Sequence, residues 1–293
     1  MKLDLSLFFS AIVGGIVLGA IYALMSSGLS LSWGVFGVMN FAHGEILMIG
    51  AFSTYLILYQ LGIPLALAIL AALALTFLIG FGIQRIIIRP LLKAKATFLI
   101  ITIATFGASL ILQNSVLSIF GARYKILPTI IEGAFIWGNA TVSFQKMLIV
   151  GIVVATFIIF ELFLTKTKIG TAIRAVAQDK EAAELVGVNV QNIFALVLGL
   201  SSLMAGLAGI LIGSIVWIYP AMGTEPFIKA TLVVILGGLG SLRGSFIAAF
   251  IVGLIESFTT AILGVFWAPT VLFILIVAII IVRPSGLFGG NRK

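Results

Sequence analysis

The sequence predicts an all-α polytopic membrane protein that forms a single transmembrane permease domain over residues 1–293. Hydrophobic residues make up 62% of the chain and charged residues 9%, whereas soluble domains carry about 25% charged residues. The apolar runs are continuous and approach the ~20 residues with which a helix spans a bilayer, so we expect about eight to ten transmembrane helices. The net charge of +8 is assigned to cytoplasmic loops by the positive-inside rule, and nucleic acid is not expected as a partner.

The first part of the chain is expected to contain four segments. Residues 5–25 form a span that is retained, because no cleavable signal pattern precedes it. Residues 26–42 form a half-helix or a strained crossing, residues 45–60 continue as helix, and Pro64 begins a span that ends near Ile88. A basic cluster follows that span and marks the cytoplasmic face; it consists of Arg85, Arg89, Lys93 and Lys95.

The middle of the chain is expected to cross the membrane twice. Residues 97–120 and 147–164 form the spans, and residues 121–146 form an external polar loop. The longest polar segment, 165–192, then lies on the same side as the basic cluster, because two spans separate them. Residues 171–186 are rich in good helix formers, so one helix is expected there, and Gly187 suits its C-terminal stop.

The last part of the chain is expected to contain a second glycine-broken element. A span over residues 193–215 precedes Thr224-Glu225-Pro226, which resembles a cap entering a helix. The glycine-rich stretch at residues 236–245 follows, then helix to Leu263 and a final span to Val282. The C-terminus is expected in the cytoplasm, and the side of the N-terminus stays open because it depends on whether residues 26–42 cross.

A weak internal repeat accompanies this pattern. Each half contains a span, a glycine-interrupted helix pair and a span that ends in an Ile-rich run before Arg-Pro, at Arg89-Pro90 and Arg283-Pro284. Matching interrupted segments are typical of a transport pathway between two repeats. Whether the repeats are parallel or inverted stays open, and chance similarity of Ile-rich spans competes with this interpretation.

Polar residues within the interrupted segments are the candidate pathway residues. Asn40, His43 and Glu45 lie in an apolar, glycine-rich run, where each polar group needs a partner because hydrocarbon offers none. Two interpretations stay open: the side chains support the broken helix, or they line the pathway. Glu256 has the same two interpretations, and Arg243 either caps the second break or faces the cytoplasm. The candidate pathway or broken-helix residues are Asn40, His43, Glu45, Gly237, Gly238, Gly240, Arg243 and Glu256.

The run Asn40-Phe41-Ala42-His43-Gly44-Glu45 closely resembles a motif of LivH-type permease subunits of branched-chain amino acid ABC importers. Gly237-Gly238-Leu239-Gly240-Ser241 resembles the second glycine-rich element of that family, and the resemblance extends over nearly the whole chain. Glu181, Ala182, Ala183 and Gly187 resemble the loop that docks on the ATPase. The expected coupling loop spans about residues 166–191 and includes Arg174, Glu181, Ala182, Ala183 and Gly187.

The resemblance implies a multi-pass permease of the bacterial inner membrane that forms a translocation pathway for Leu, Ile and Val. Its implied partners are a second, LivM-like permease subunit, two ATP-binding subunits, an extracytoplasmic binding protein and the lipid bilayer. No cofactor is expected in this chain, and ATP hydrolysis is expected on partner subunits. The residues agree, because no Gly precedes a Lys and a P-loop needs that pair.

Two other functions stay open at this stage. One is a permease for a related small solute, such as urea, amides or other amino acids. The other is a self-sufficient secondary transporter with His43 and Glu45 as a proton relay. An intramembrane enzyme is disfavoured, because one histidine and no cysteine provide neither a His-Glu-x-x-His pair nor a Cys–His dyad.

The cytoplasmic segment discriminates between importer and secondary transporter, since only an importer needs a docking helix there. Ala172, Val176, Ala183 and Val186 are spaced to form one small, apolar face. We expect that face to enter a groove of the ATPase.

Overall fold

The computed structural model describes residues 5–137, 140–283 and 285–288. Within these residues the chain forms twelve α-helices and one short hairpin. The helices are α1 (Leu5–Phe36), α2 (His43–Tyr59), α3 (Leu65–Ile83), α4 (Arg89–Lys93), α5 (Phe98–Phe120), α6 (Phe144–Lys166), α7 (Lys168–Gln178), α8 (Lys180–Leu185), α9 (Val190–Gly213), α10 (Thr224–Gly237), α11 (Leu242–Leu263) and α12 (Ala268–Val282). The strands are β1 (Ala134–Trp137) and β2 (Ala140–Ser143), which pair antiparallel.

Seven helical stretches among the described residues are long and apolar enough to cross a membrane. The all-α polytopic fold class is therefore confirmed. The seven include α1, α5, α6, α9 and α11, the continuous stretch from α3 through a π-helical turn at Gln84–Ile88 to α4, and the stretch 265–282 that contains α12. Helices α2, with 17 residues, and α10, with 14, are shorter, and the expected count of eight to ten requires at least one of them to cross as well.

Helix α1 differs from the expectation, because the chain does not break near Met25 but stays helical to Phe36. The serines that favour a break in sequence instead bond back into the helix: the Ser26 hydroxyl donates to the Ala23 carbonyl at 3.3 Å, and the Ser32 hydroxyl donates to the Leu29 carbonyl at 2.9 Å. A serine hydroxyl bonded in this way needs no other partner in an apolar interior. The separate segment predicted for residues 26–42 is wrong, because α1 continues to Phe36 and the break is confined to residues 37–42.

The packing of α1 against α11 shows how the helices are oriented. Near the start of α1, Ser257 donates to the Ala11 carbonyl at 2.7 Å, and further along Ser26 lies 3.5 Å from the Ser245 carbonyl. Helices α1 and α11 are therefore antiparallel. Small residues allow this close contact. If Gly19 carried a Cβ atom, that atom would lie only 2.8 Å from the Cα of Phe250, which is too close for two carbon atoms.

The bundle has two chemically different ends. At the end that we call the basic end, Arg85 donates to the Asn192 side chain at 2.9 Å, and Arg243 pairs with Glu161 near the end of α6. The other end, which we call the hairpin end, carries β1 and β2 just before α6, and residue 125 bridges to residue 218. Because α11 begins at the basic end, its antiparallel neighbour α1 begins at the hairpin end.

The cytoplasmic segment forms two short helices, so the single helix predicted for residues 171–186 is wrong. Asp179 has an extended conformation (φ −152°, ψ 112°) that interrupts the helix. Its carboxylate accepts the backbone N–H groups of Glu181 and Ala182 at 2.9 and 3.0 Å, so it caps α8. The expected stop at Gly187 is confirmed: its φ is +86°, and the N–H of Val188 bonds to the Ala183 carbonyl in a Schellman arrangement.

Candidate functional site

The first helix break, residues 37–42, is held by backbone and side-chain hydrogen bonds. Gly37 ends α1 with a φ of +68°, a conformation that glycine adopts without a steric penalty. Asn40 closes the turn before α2, because its side-chain oxygen accepts the Ala42 N–H at 3.1 Å. The Phe41 N–H donates to Thr105 of α5 at 3.2 Å. The break is thus a defined structure, as hydrocarbon requires of any non-helical backbone.

His43 anchors the start of α2 on α1. The side chain is fully buried, and its Nε2 lies 3.2 Å from the Met25 carbonyl, which can only accept, so Nε2 is the donor. Gly28 makes room for the ring, since a Cβ there would lie 3.1 Å from its Cε1 atom. A buried ring that bonds to the backbone of α1 is the geometry expected of a side chain that supports the helix break.

Glu45 and His43 each keep one buried side-chain atom without a partner among the described residues, Oε2 of Glu45 and Nδ1 of His43. Glu45 is 4% exposed, and Ser109 of α5 is its hydrogen-bonding neighbour. The Asn40 amide nitrogen is also buried without a partner. Buried polar atoms in native proteins are normally satisfied, so the unpaired atoms of Asn40, His43 and Glu45 among the described residues mark the start of α2 as a polar spot in an apolar interior.

The second helix break lies between α10 and α11, as the glycines predict. Gly238 and Gly240 have φ values of +99° and +82°, and α10 ends at Gly237. Ser241 caps α11 by accepting the Gly244 N–H at 3.1 Å. The two breaks are neighbours, because a Cβ at Gly34, near the end of α1, would lie 3.5 Å from the Cα of Gly240.

Arg243 is not the cap of the second break. Its guanidinium extends across to α6, where Nε and Nη2 lie 2.7 and 2.5 Å from the same oxygen of Glu161. This pairing is not visible in the sequence, because Lys166 is a nearer basic residue to Glu161 along the chain. The expected cap at Thr224 is also wrong, since α10 begins at Thr224 without a side-chain cap.

Glu256 belongs to a buried charge cluster that the sequence analysis did not predict. Its Oε1 lies 2.5 Å from the Lys229 ammonium, and its Oε2 accepts the Tyr22 hydroxyl at 2.9 Å. Lys229 also pairs with Glu225 at 2.6 Å. The spacing of four between Glu225 and Lys229 on one helix was a usable signal. The approach of α1 and α11 was not visible in the sequence.

The predicted docking face of the cytoplasmic segment is only partly accessible, since two of its four residues are buried and Val186 is exposed. Val176 and Ala183 are 1% and 3% exposed, because they pack against this chain's own core. The exposed apolar residues are Leu185 and Val186, at 89% and 79%. Apolar residues this exposed at the end of a capped helix are typical of a surface that a partner covers.

Comparison with known proteins gives the family. The chain matches the family described as "Branched-chain amino acid transport system / permease component" over residues 11–282. The chain belongs to this family. Members of the family are permease components, and with its spanning helices the chain is a multi-pass membrane protein.

Individual relatives agree with the family. The chain is 31% identical to the high-affinity branched-chain amino acid transport system permease protein BraD of Pseudomonas aeruginosa, with 96% of each chain covered. It is 30% identical, again over 96% of each chain, to the LivH permease protein of Escherichia coli. The fructose import permease protein FrcC of Rhizobium meliloti is 27% identical over 83% of this chain and 66% of its own length. No solved structure matches.

Proposed function

We propose that this chain is one permease subunit of an ABC importer for branched-chain amino acids in a bacterial inner membrane. The observation that carries the proposal is the similarity to BraD and LivH over 96% of the chain. The partners in this proposal are a second, LivM-like permease subunit, two ATP-binding subunits and an extracytoplasmic binding protein. ATP hydrolysis is assigned to the ATP-binding subunits.

The two ends of the bundle support an orientation. The basic end carries the Arg85–Lys95 cluster and helices α7 and α8, and the positive-inside rule assigns such an end to the cytoplasm. The hairpin end then faces the binding protein. In this orientation α8 projects toward the ATP-binding subunits.

We assign the ATPase contact to Leu185 and Val186, with Glu181 and Ala182 beside them. These four residues are exposed on α8 or just after it. Asp179 and Gly187 hold the two ends of α8, so the exposed side chains are presented on a fixed element. Ala183, Gly187 and Arg174 act indirectly here: Ala183 packs inside, Gly187 makes the turn, and Arg174 bonds to the Leu164 carbonyl at the end of α6.

The test is co-purification of the ATP-binding subunits with Leu185→Glu and Val186→Glu variants, together with ATP-driven leucine uptake in vesicles. Each change puts a charge into an apolar contact, so we expect docking to weaken by more than about 1 kcal/mol, roughly fivefold, with uptake falling in parallel. Both side chains are exposed in this chain, so its own folding is not affected.

Ile136→Glu is the matched control, because Ile136 is 69% exposed on the hairpin at the opposite end. It should leave ATPase co-purification unchanged. Normal docking and normal uptake in both α8 variants would contradict the importer assignment of this segment and favour a self-sufficient transporter.

The second candidate function is import of a different small solute. The similarity to a fructose import permease favours keeping this candidate, because a relative of this chain is named for a different substrate class. Uptake of labelled leucine, fructose and urea by the assembled importer separates the candidates, and we expect only leucine to be transported.

A further inference from the structure

The charge cluster of Glu225, Lys229 and Glu256 lacks one positive charge. Lys229 lies between the two carboxylates, 2.6 Å from Glu225 and 2.5 Å from Glu256, and Tyr22 adds a neutral hydroxyl. Two carboxylates and one ammonium leave a net charge of −1 among these groups. Because Lys229 and Glu256 are buried and paired, the uncompensated charge belongs to Glu225, the exposed member of the cluster.

The cluster lies within the depth of the bundle. Glu256 is seven residues from the end of α11 at Leu263, which corresponds to about 10 Å along the helix. At the start of α10, the backbone of Gly223 packs against Gly44 at the buried start of α2. Ionisable residues at such depth face a water-filled cavity or the interior of a bundle rather than lipid.

Glu225 opens into a cavity. Its side chain is 68% exposed, and among the described residues only its Oε1 oxygen is bonded, to Lys229, which is 12% exposed behind it. The cavity lies between α10 and α12 and has a volume of about 810 Å³. Its apolar wall is formed by Ile228, Leu232, Leu272, Phe273 and Ile274, and Thr270 adds a hydroxyl.

We propose that this cavity binds an amino acid during transport, with the α-ammonium group on Glu225 and the apolar side chain against the α10 and α12 wall. The ammonium group supplies the missing positive charge through charge-assisted hydrogen bonds to the carboxylate. Lys229 is a positioning residue that holds Glu225 in place through the pair with Glu256. Neutral solutes such as urea and sugars lack the cation, so the site also selects substrate class.

This inference rests on the proposed function, and the experiment separates the two. The chain contains no cysteine, so Thr270→Cys places a single thiol of this chain at the cavity wall. In the assembled importer, the rate at which a maleimide labels that thiol is measured with and without L-leucine. We expect leucine to slow labelling several-fold, and 4-methylpentanoate, which has the same carbon skeleton without the amino group, to give no protection.

Glu225→Gln in the Thr270→Cys background tests the carboxylate. Glutamine keeps an oxygen that accepts from Lys229 but loses the charge, so the cluster stays connected. We expect the leucine concentration for half-maximal protection to rise about tenfold, equivalent to about 1.4 kcal/mol. Phe266→Cys is the matched control, because Phe266 is 92% exposed just before α12 and outside the cavity; leucine should not change its labelling.

Three results would overturn the inference. Leucine uptake by the wild-type importer without any protection at position 270 would place the substrate elsewhere and leave the proposed function intact. Labelling that depends on phosphatidylethanolamine in the vesicles but not on leucine would assign the cavity to a lipid headgroup. Loss of pairing between the two permease subunits in Glu225→Gln would assign the missing cation to the partner subunit. Absence of leucine uptake in the wild type would overturn the proposed function as well.

Discussion

At the scale of single residues, His43 and Glu45 lie two positions apart at the buried start of α2 and bond to different helices. The His43 ring bonds to the backbone of α1 and has no exposed surface. Glu45 keeps an oxygen without a partner among the described residues. The Nδ1 atom of His43 is likewise without a partner among those residues, so each side chain supports the break through one polar atom and leaves a second one unpaired.

The buried charge cluster leads to a stability prediction. Lys229→Met leaves Glu225 and Glu256 without their shared counter-charge, and breaking a buried pair typically costs about 3–5 kcal/mol. Tyr22→Phe removes only one hydrogen bond to a charged group, which costs about 1.5–3 kcal/mol. Thermal unfolding of the purified subunit in detergent measures both. If Lys229→Met unfolds at the same temperature as the wild type, the folded subunit does not need Lys229 as the counter-charge of Glu225 and Glu256.

At the scale of elements, glycine determines which helices approach closely. Helices α2 and α9 meet at Gly50 and Gly206, where a Cβ on Gly50 would lie 2.6 Å from the Cα of Gly206. Other helical glycines, such as Gly107 of α5, have no atom within 4 Å of the corresponding Cβ position. The same residue type is therefore a packing requirement at one position and a replaceable residue at another.

This contrast gives a matched pair of substitutions. Gly50→Ala forces α2 away from α9, and we expect it to cost about 1–3 kcal/mol through overpacking. Gly107→Ala meets open space and should be neutral or stabilise the helix by about 0.5–1 kcal/mol. Thermal unfolding of the two variants under identical conditions makes the comparison; a Gly107→Ala variant that is the less stable of the two would refute this account of the α2–α9 contact.

At the scale of the whole molecule, the packing decides the orientation of the chain. Helix α1 begins at the hairpin end, because it is antiparallel to α11, which begins at the basic end. With the basic end in the cytoplasm, the start of α1 lies outside the cell.

Single cysteines test this topology, since the chain has none of its own. We expect cysteine at Lys93 and Arg174 to react only from the cytoplasmic side, and cysteine at Ser6 and Tyr124 only from the outside. The C-terminal Lys293, expected in the cytoplasm, lies outside the described residues and serves as a further labelling position. External labelling at position 174 would invert the orientation and contradict the placement of α8 against the ATP-binding subunits.

The sequence by itself determined the fold class, the two glycine-broken elements and the family, because these depend on local properties. Long apolar runs specify spans whatever their neighbours, and Gly37, Gly238 and Gly240 permit backbone conformations that other residues resist. The Asp179 interruption and the Ser26 region were misjudged because serine and aspartate side chains can either bond within a helix or cap the next one, and local sequence does not choose between these.

Only the tertiary structure decided which polar residues meet. Glu161 pairs with Arg243, 82 positions along the chain, and Tyr22 bonds to Glu256 across 234 positions. The burial of Ala183 and the exposure of Leu185 likewise depend on how α8 packs against the rest of the chain. In an apolar environment a charge must find whichever partner the helix packing brings close, and that packing is set by contacts spread over the whole chain rather than by the residues beside the charge.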